Sequence, residues 1–203
     1  EDGGSAGRGG QGIAAGGAPA VRVIEDGAAR AVVEAVFGYG RSVIVQRYKL
    51  PKLGTQVEVE LRVFWNEKDR MLKLSVPTRL RGARYLGQVA YGVAPLPADG
   101  NEAVAQKWVA VVADEQDIAL TCINDGSYGS DFADGELRLS ILRSPAYSAD
   151  PAAVGPLVHQ DRYVPRQDQG ERIFRFWFDG GRVTERLSAI DREHGRQQRQ
   201  VEP

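Results

Sequence analysis

Residues 56–65, QVEVELRVFW, constrain the fold more than any other stretch. Val57, Val59, Leu61, Val63 and Trp65 alternate with Glu58, Glu60 and Arg62. Successive side chains of a strand point to opposite faces, so this pattern describes a strand with one buried side. Similar alternation recurs at 28–37, 42–50, 71–76, 88–93, 107–112, 117–124, 135–142 and 172–178. Turn signals such as Glu25-Asp26-Gly27, Ala98-Asp99-Gly100, Asn124-Asp125-Gly126 and Asp179-Gly180-Gly181 fall between many of them. Many short strands with polar turns and no helical period between them predict an all-β fold, an antiparallel β-sandwich. The longer irregular spans, 77–87, 94–106 and 144–168, are long enough to suspect function or an interface. No period of 20 to 50 residues repeats, which excludes solenoids and propellers.

Two segments depart from this pattern. Residues 1–20 hold eight of the 24 glycines and read as a linker or solvated loop. Gly7, Gly9 and Gly12 match GxGxxG in form, but a dinucleotide loop must follow a strand, and none precedes Gly7. The sandwich is expected over 21–180. In 181–203, Val183, Leu187 and Ile190 recur at three and four, which predicts a short amphipathic helix from about Val183 to Glu193, stopped by Gly195.

Charge and composition close off several functions. With 26 basic and 27 acidic residues interspersed, there is no electrostatic footprint for nucleic acid or an anionic membrane. No apolar run is long enough to span a bilayer as a helix. The single cysteine, Cys122, lies in the apolar pattern IALTCIN and reads as a buried small hydrophobe. The two histidines, His159 and His194, have no HExxH, CxxC or clustered acid around them, so a zinc site built by this chain is not expected. Asp125, Asp131, Asp134 and Glu136 crowd one segment and invite comparison with a glycosidase carboxylate pair. Turn-forming Asp and an exposed strand face account for them more simply. WNEKDRMLKL (65–74) reads as a hairpin with a charged tip, either solvated or set against another domain. Trp65, Trp108 and Trp177 sit in strands with apolar neighbours and are expected in the core. Tyr128 and Tyr147, in loops, are better ligand candidates.

The order of several phrases adds to this reading. LRVFWNEKDRMLKLSVP is followed by GNEAVAQKWVAV, then ALTCINDGSYGSDFADGELRLSILRSPAY, then DQGERIFRFWF. This succession, over about residues 21–180, resembles the C-terminal β domain of glycoside hydrolase family 38 α-mannosidases. Arg172 stands where many relatives of that family carry histidine. The resemblance implies a supersandwich of the galactose-mutarotase type. It also implies a fragment of a retaining α-mannosidase that hydrolyses terminal α-mannosides. The nucleophile, the acid/base and the zinc ligands of such enzymes lie chiefly in a preceding barrel. The chain alone is therefore expected to be inert and to hold no cofactor, with zinc implied for the missing catalytic domain. Its expected partners are that barrel and mannose-containing glycans.

The resemblance places Arg143 at a strand end turned toward the bound sugar, with Asn124, Asp125 and Tyr128 in the adjoining loop. Together they are expected to complete the wall of the mannose pocket, against the alternative of plain interdomain packing. Two other readings stay open. One is a free-standing carbohydrate-binding module, which needs exposed aromatics on a sheet face. The other is an unrelated interaction domain. One cysteine and no N-x-S/T sequon fit a cytoplasmic bacterial location.

Overall fold

The computed structural model describes residues 20–146 and 166–185. Thirteen strands account for most of them: β1 (Val21–Asp26), β2 (Arg30–Tyr39), β3 (Ser42–Pro51), β4 (Val57–Trp65), β5 (Met71–Pro77), β6 (Arg84–Val89), β7 (Gly92–Pro95), β8 (Ala103–Val104), β9 (Trp108–Ala113), β10 (Ile118–Asn124), β11 (Gly129–Ala133), β12 (Glu136–Arg143) and β13 (Gly170–Gly181). A 3-10 turn at Asp114–Gln116 joins β9 to β10. The strands form a nine-stranded sheet, β1-β2-β3-β4-β13-β10-β9-β6-β7, and a four-stranded sheet, β5-β12-β11-β8. Every strand pairing is antiparallel. The fold is the all-β sandwich expected from the alternation.

The core forms where the apolar faces of the two sheets meet. Val59, Leu61, Val63 and Trp65 of β4 and Phe176 of β13 pack with Tyr85, Val109, Val111 and Cys122 of the large sheet. Phe132, Leu137, Leu139 and Leu142 come from the small sheet. Burying each such side chain contributes about 1.5–3 kcal/mol. Burial also pushes the Cys122 thiol upward, so this residue is the small hydrophobe expected from its surroundings. The hydroxyl of Tyr85 donates to Ser130 Oγ at 2.6 Å across the core, and burial raises its pKa to about 12.

Several expectations need correction. Residues 65–74 are not a hairpin: β4 belongs to the large sheet and β5 to the small one, so the charged bend carries the chain between layers. Residues 88–93 are not one strand but the turn of the β6–β7 hairpin, with Tyr91 at φ 62°. The span 77–87 contains the start of β6, and 94–106 contains the end of β7 and all of β8. Residues 129–133, outside the alternating stretches, form β11, which pairs with both β12 and β8. Trp65 is a core residue, with 2% of its surface exposed. Trp108 instead lies on the outer side of the large sheet, packed against Leu86, Ala110, Val112, Ala119 and Val183. Trp177 also faces outward, opposite Glu58 on β4 and Ile123 on β10. The C-terminal helix is seen only over its first residues, Val183 to Glu185. Leu187, Ile190, Tyr147 and both histidines lie outside the described residues, as does most of the glycine-rich segment.

Candidate functional site

One end of the sandwich gathers the β2–β3 turn, the β4–β5 bend, the end of β12 and the start of β13, and the β10–β11 loop points the same way from further back along β13. The strand registers place them there. Arg143 pairs with Met71 at the start of β5, Gly170 pairs with Trp65 at the end of β4, and Asn124 pairs with Phe176. Arg143 lies at this end, whereas Asn124, paired with Phe176 opposite Val59, and Asp125, bonded to Arg175, lie further along β13 from Gly170; Tyr128 precedes β11.

The bend Trp65–Arg70 is built residue by residue. Trp65 donates its indole N–H to Ser144 Oγ at 3.1 Å. Ser144 is fully buried; its N–H bonds Arg70 O at 2.9 Å, and its carbonyl accepts Asp69 N–H at 2.8 Å. The Asn66 N–H bonds Ser42 Oγ at 2.8 Å, while Glu67 Oε1 accepts Arg41 N–H at 2.6 Å and Ser42 Oγ at 2.9 Å. A Cβ at position 40 would lie 2.6 Å from Glu67 Oε1, and the backbone there has φ 55°, so Gly40 is what lets the carboxylate reach the turn. Asp69 pairs with Arg166 at 3.0 Å. Ser144 is thus the anchor that fixes the end of β12. Its position between Arg143 and Pro145 gave no sequence signal, because its role depends on Trp65, which is 79 residues away.

With Ser144 held inside, Arg143 is turned out. Among the described residues its guanidinium has no hydrogen-bond or ion-pair partner, so all five donors stay available. Tyr128 is 57% exposed and its hydroxyl is likewise unpartnered among the described residues. Asn124 is different. Its Oδ1 accepts the N–H groups of Gly126 and Ser127, both at 3.0 Å, and its Nδ2 donates to Gln106 O at 2.9 Å. The amide therefore shapes the loop and keeps one spare N–H. Asp125 is tied to β13 by its N–H to Arg175 O at 3.2 Å and, more weakly, by its carboxylate to the Arg175 guanidinium at 3.8 Å.

The four acids that crowd the sequence are dispersed by the fold. Asp125 and Asp134 lie beyond opposite ends of β11. Asp134 takes φ 51° in the β11–β12 turn. Asp131, only 1% exposed, sits on the outer side of the small sheet between Lys73 Nζ and Arg138 Nε, each at 2.5 Å. Glu136 accepts a hydrogen bond from Ser75 Oγ. Among the described residues no group of three or more His, Cys, Asp or Glu comes together to hold a metal. No helix among them is long and apolar enough to cross a membrane.

Comparison with known proteins bears on the family and the fold. Residues 10–153 match the family described as Glycosyl hydrolases family 38 C-terminal domain. Alpha-mannosidase G of Dictyostelium discoideum is 26% identical over 147 residues, which are 66% of this chain and 13% of that protein. Alpha-mannosidase 2C1 of Mus musculus is 28% identical over 97 residues, 44% of this chain and 9% of that protein. An alpha-mannosidase structure from Enterococcus faecalis V583 superposes with a TM-score of 0.69 at 15% identity. It covers 87% of this chain and 24% of its own, and at that identity it shows the fold. This chain thus spans a small part of the length of each relative.

Proposed function

Because the chain belongs to the glycosyl hydrolase family 38 C-terminal domain family, we propose that it is the non-catalytic β-sandwich of a retaining α-mannosidase acting on terminal α-mannosides. The sandwich supports the catalytic part of that protein, which is its principal partner and carries the nucleophile, the acid/base and the zinc. In this reading the end loops complete the wall of the mannose pocket. Arg143 donates hydrogen bonds to sugar hydroxyls, Tyr128 offers an aromatic face with a hydroxyl, and Asn124 and Asp125 hold the loop between them.

The observation that carries this reading is the contrast between neighbours at the end of β12. Ser144 is buried and fully engaged, while Arg143 beside it is exposed with its donors unused. The bracing of Ser144 fixes the strand end and so directs the Arg143 guanidinium outward, where its donors can meet a ligand. In the intact enzyme, Arg143→Ala should lower kcat/KM for an aryl α-mannoside by at least tenfold, about 1.4 kcal/mol of lost transition-state stabilisation. Unchanged kcat and KM would show that the end loops only pack. One cysteine and the absence of sequons support a cytoplasmic bacterial setting for the enzyme; fractionation of source cells tests this.

A further inference from the structure

Trp177 is the aromatic that the end-loop reading leaves unused. Its strand sends Phe174, Phe176 and Phe178 into the core, so the residues between them face outward. The outward row runs from Trp177 through Glu58 of β4 to Lys49 of β3. There the indole lines a cavity of about 180 Å³ with Arg30, Lys49, Pro51, Gln56 and Glu58. The β3–β4 connection closes one side, held by Thr55 Oγ1 donating to Asp179 at 2.7 Å.

The chemistry of this lining selects a class of ligand. Lys49 bonds Glu58 at 2.7 Å and Glu60 at 3.0 Å, which leaves one of its three N–H donors free. Glu58 is engaged through Oε1 only. Arg30 bonds Glu25 through Nε and Nη2, leaving Nη1. Among the described residues the amide of Gln56 and the indole N–H of Trp177 have no partner. Each charge here is compensated by a neighbour, so the cavity offers no net attraction to an anion or a cation. It does offer alternating donors and acceptors around an aromatic plane. Vicinal hydroxyls, which both donate and accept, match that rim, and the C–H face of a sugar ring matches the indole. A volume below the ~300–1,000 Å³ of drug-sized pockets admits one ring rather than an oligomer.

We propose that the outer face of the large sheet carries a second, neutral hexopyranose-binding site, with Trp177 as its platform and Gln56, Glu58 and Lys49 as its polar rim. It lies beside the β3–β4 connection, toward the opposite end of β4 from Arg143 and Ser144, and does not use Arg143; the nearest part of the end loops is Asn124, which follows Ile123, the cross-strand partner of Trp177.

The test is an NMR titration of the full 203-residue chain, following the three indole N–H signals of Trp65, Trp108 and Trp177. Methyl α-mannoside, methyl β-glucoside and mannose 6-phosphate serve as probes. The expected result is a saturable shift of the Trp177 signal by at least one neutral glycoside, with Kd near 1 mM. Gln56→Trp, at an exposed rim position that leaves the fold intact, should weaken this binding at least tenfold. In Trp177→Phe the site should keep its affinity within about threefold, read on backbone amides of β4, while Arg143→Ala should leave it unchanged. Four outcomes would overturn the proposal: no saturable shift up to about 50 mM, persistence in Gln56→Trp, response to mannose 6-phosphate alone, or loss in Arg143→Ala. The last would assign binding to the end loops instead and leave that reading intact.

Discussion

The large sheet is two unlike halves joined by its last strand. On one side lie β1 to β4, built as successive antiparallel neighbours; on the other lie β10, β9, β6 and β7. Between them sits β13, which arrives from the C-terminal end of the domain. The outer faces of the halves differ sharply. Across β1 to β4 and on to the end of β10 runs a ladder of charges, Arg22–Glu34–Arg47–Glu60–Arg175–Asp125, with Lys49 and Glu58 alongside. The face of β6, β9 and β10 instead buries Leu86, Ala110, Val112 and Ala119. A solvated sheet face can be made of paired ions, whereas a covered face has to be apolar. β4 alternates strictly for that reason, whereas β9 reads as the nearly continuous run WVAVVA.

The largest break in this arrangement should come at the joint. Phe176 is fully buried, and Phe176→Ala should cost about 3–5 kcal/mol. Denaturant unfolding checks this, and a loss under 1 kcal/mol would mean that β13 does not hold the halves together. A matched pair then tests the faces themselves. Val112→Asp would bury an unpaired charge and should cost about 3 kcal/mol or more. Val45→Asp, which places the acid opposite Arg62 on the charged half, should cost under about 1 kcal/mol. Equal losses would erase the distinction. Within the ladder, Glu34 is buried and bonded by both Arg22 and Arg47, so Glu34→Gln should cost about 1.5–3 kcal/mol. Glu25→Gln, at an exposed pair with Arg30, should leave the unfolding midpoint nearly unchanged.

Acid should reveal the same ladder. The hydrogen bonds from Arg22 and then Arg47 hold the Glu34 carboxyl below its ordinary value. Burial alone would raise Glu60, but the bonds from Lys49 and Arg175 override it and lower the group. Carboxyls depressed in the folded state contribute stability above their unfolded pKa and lose it as pH falls through the folded one. Thermal midpoints should therefore drop as pH is taken from about 5 toward 3. The drop should be smaller in Glu34→Gln, and an equal drop would remove Glu34 from the account.

Alternation made the strand faces legible, and the turn residues made most boundaries legible. Alternation says which side of a strand is buried but not which sheet the strand joins, so the β4–β5 bend read as a hairpin. What sends it across layers is the distant Trp65–Ser144 contact. β11 escaped notice because its outward residue is Asp131, a charge made burial-tolerant by Lys73 and Arg138. Gly129 leaves room there for the Glu102 carboxylate, whose Oε1 would lie 2.5 Å from an added Cβ. Trp177 carried a usable signal that its apolar neighbours obscured: it shares the parity of Arg175, not of Phe176. At the end loops the sequence pointed to Asn124, Asp125, Tyr128 and Arg143 through family likeness. The division between Asn124 as loop-former and Arg143 as free donor emerges only from hydrogen-bond partners brought together by folding.

The central claim is that this sandwich is the non-catalytic part of an α-mannosidase. Its most direct test is hydrolysis of an aryl α-mannoside by the intact protein and by the 203-residue chain alone, with the anomer of the first-formed sugar read by NMR. The account predicts turnover with retained configuration by the intact protein and none by the chain. Turnover by the chain alone, or an intact protein that leaves every α-mannoside untouched, would contradict it.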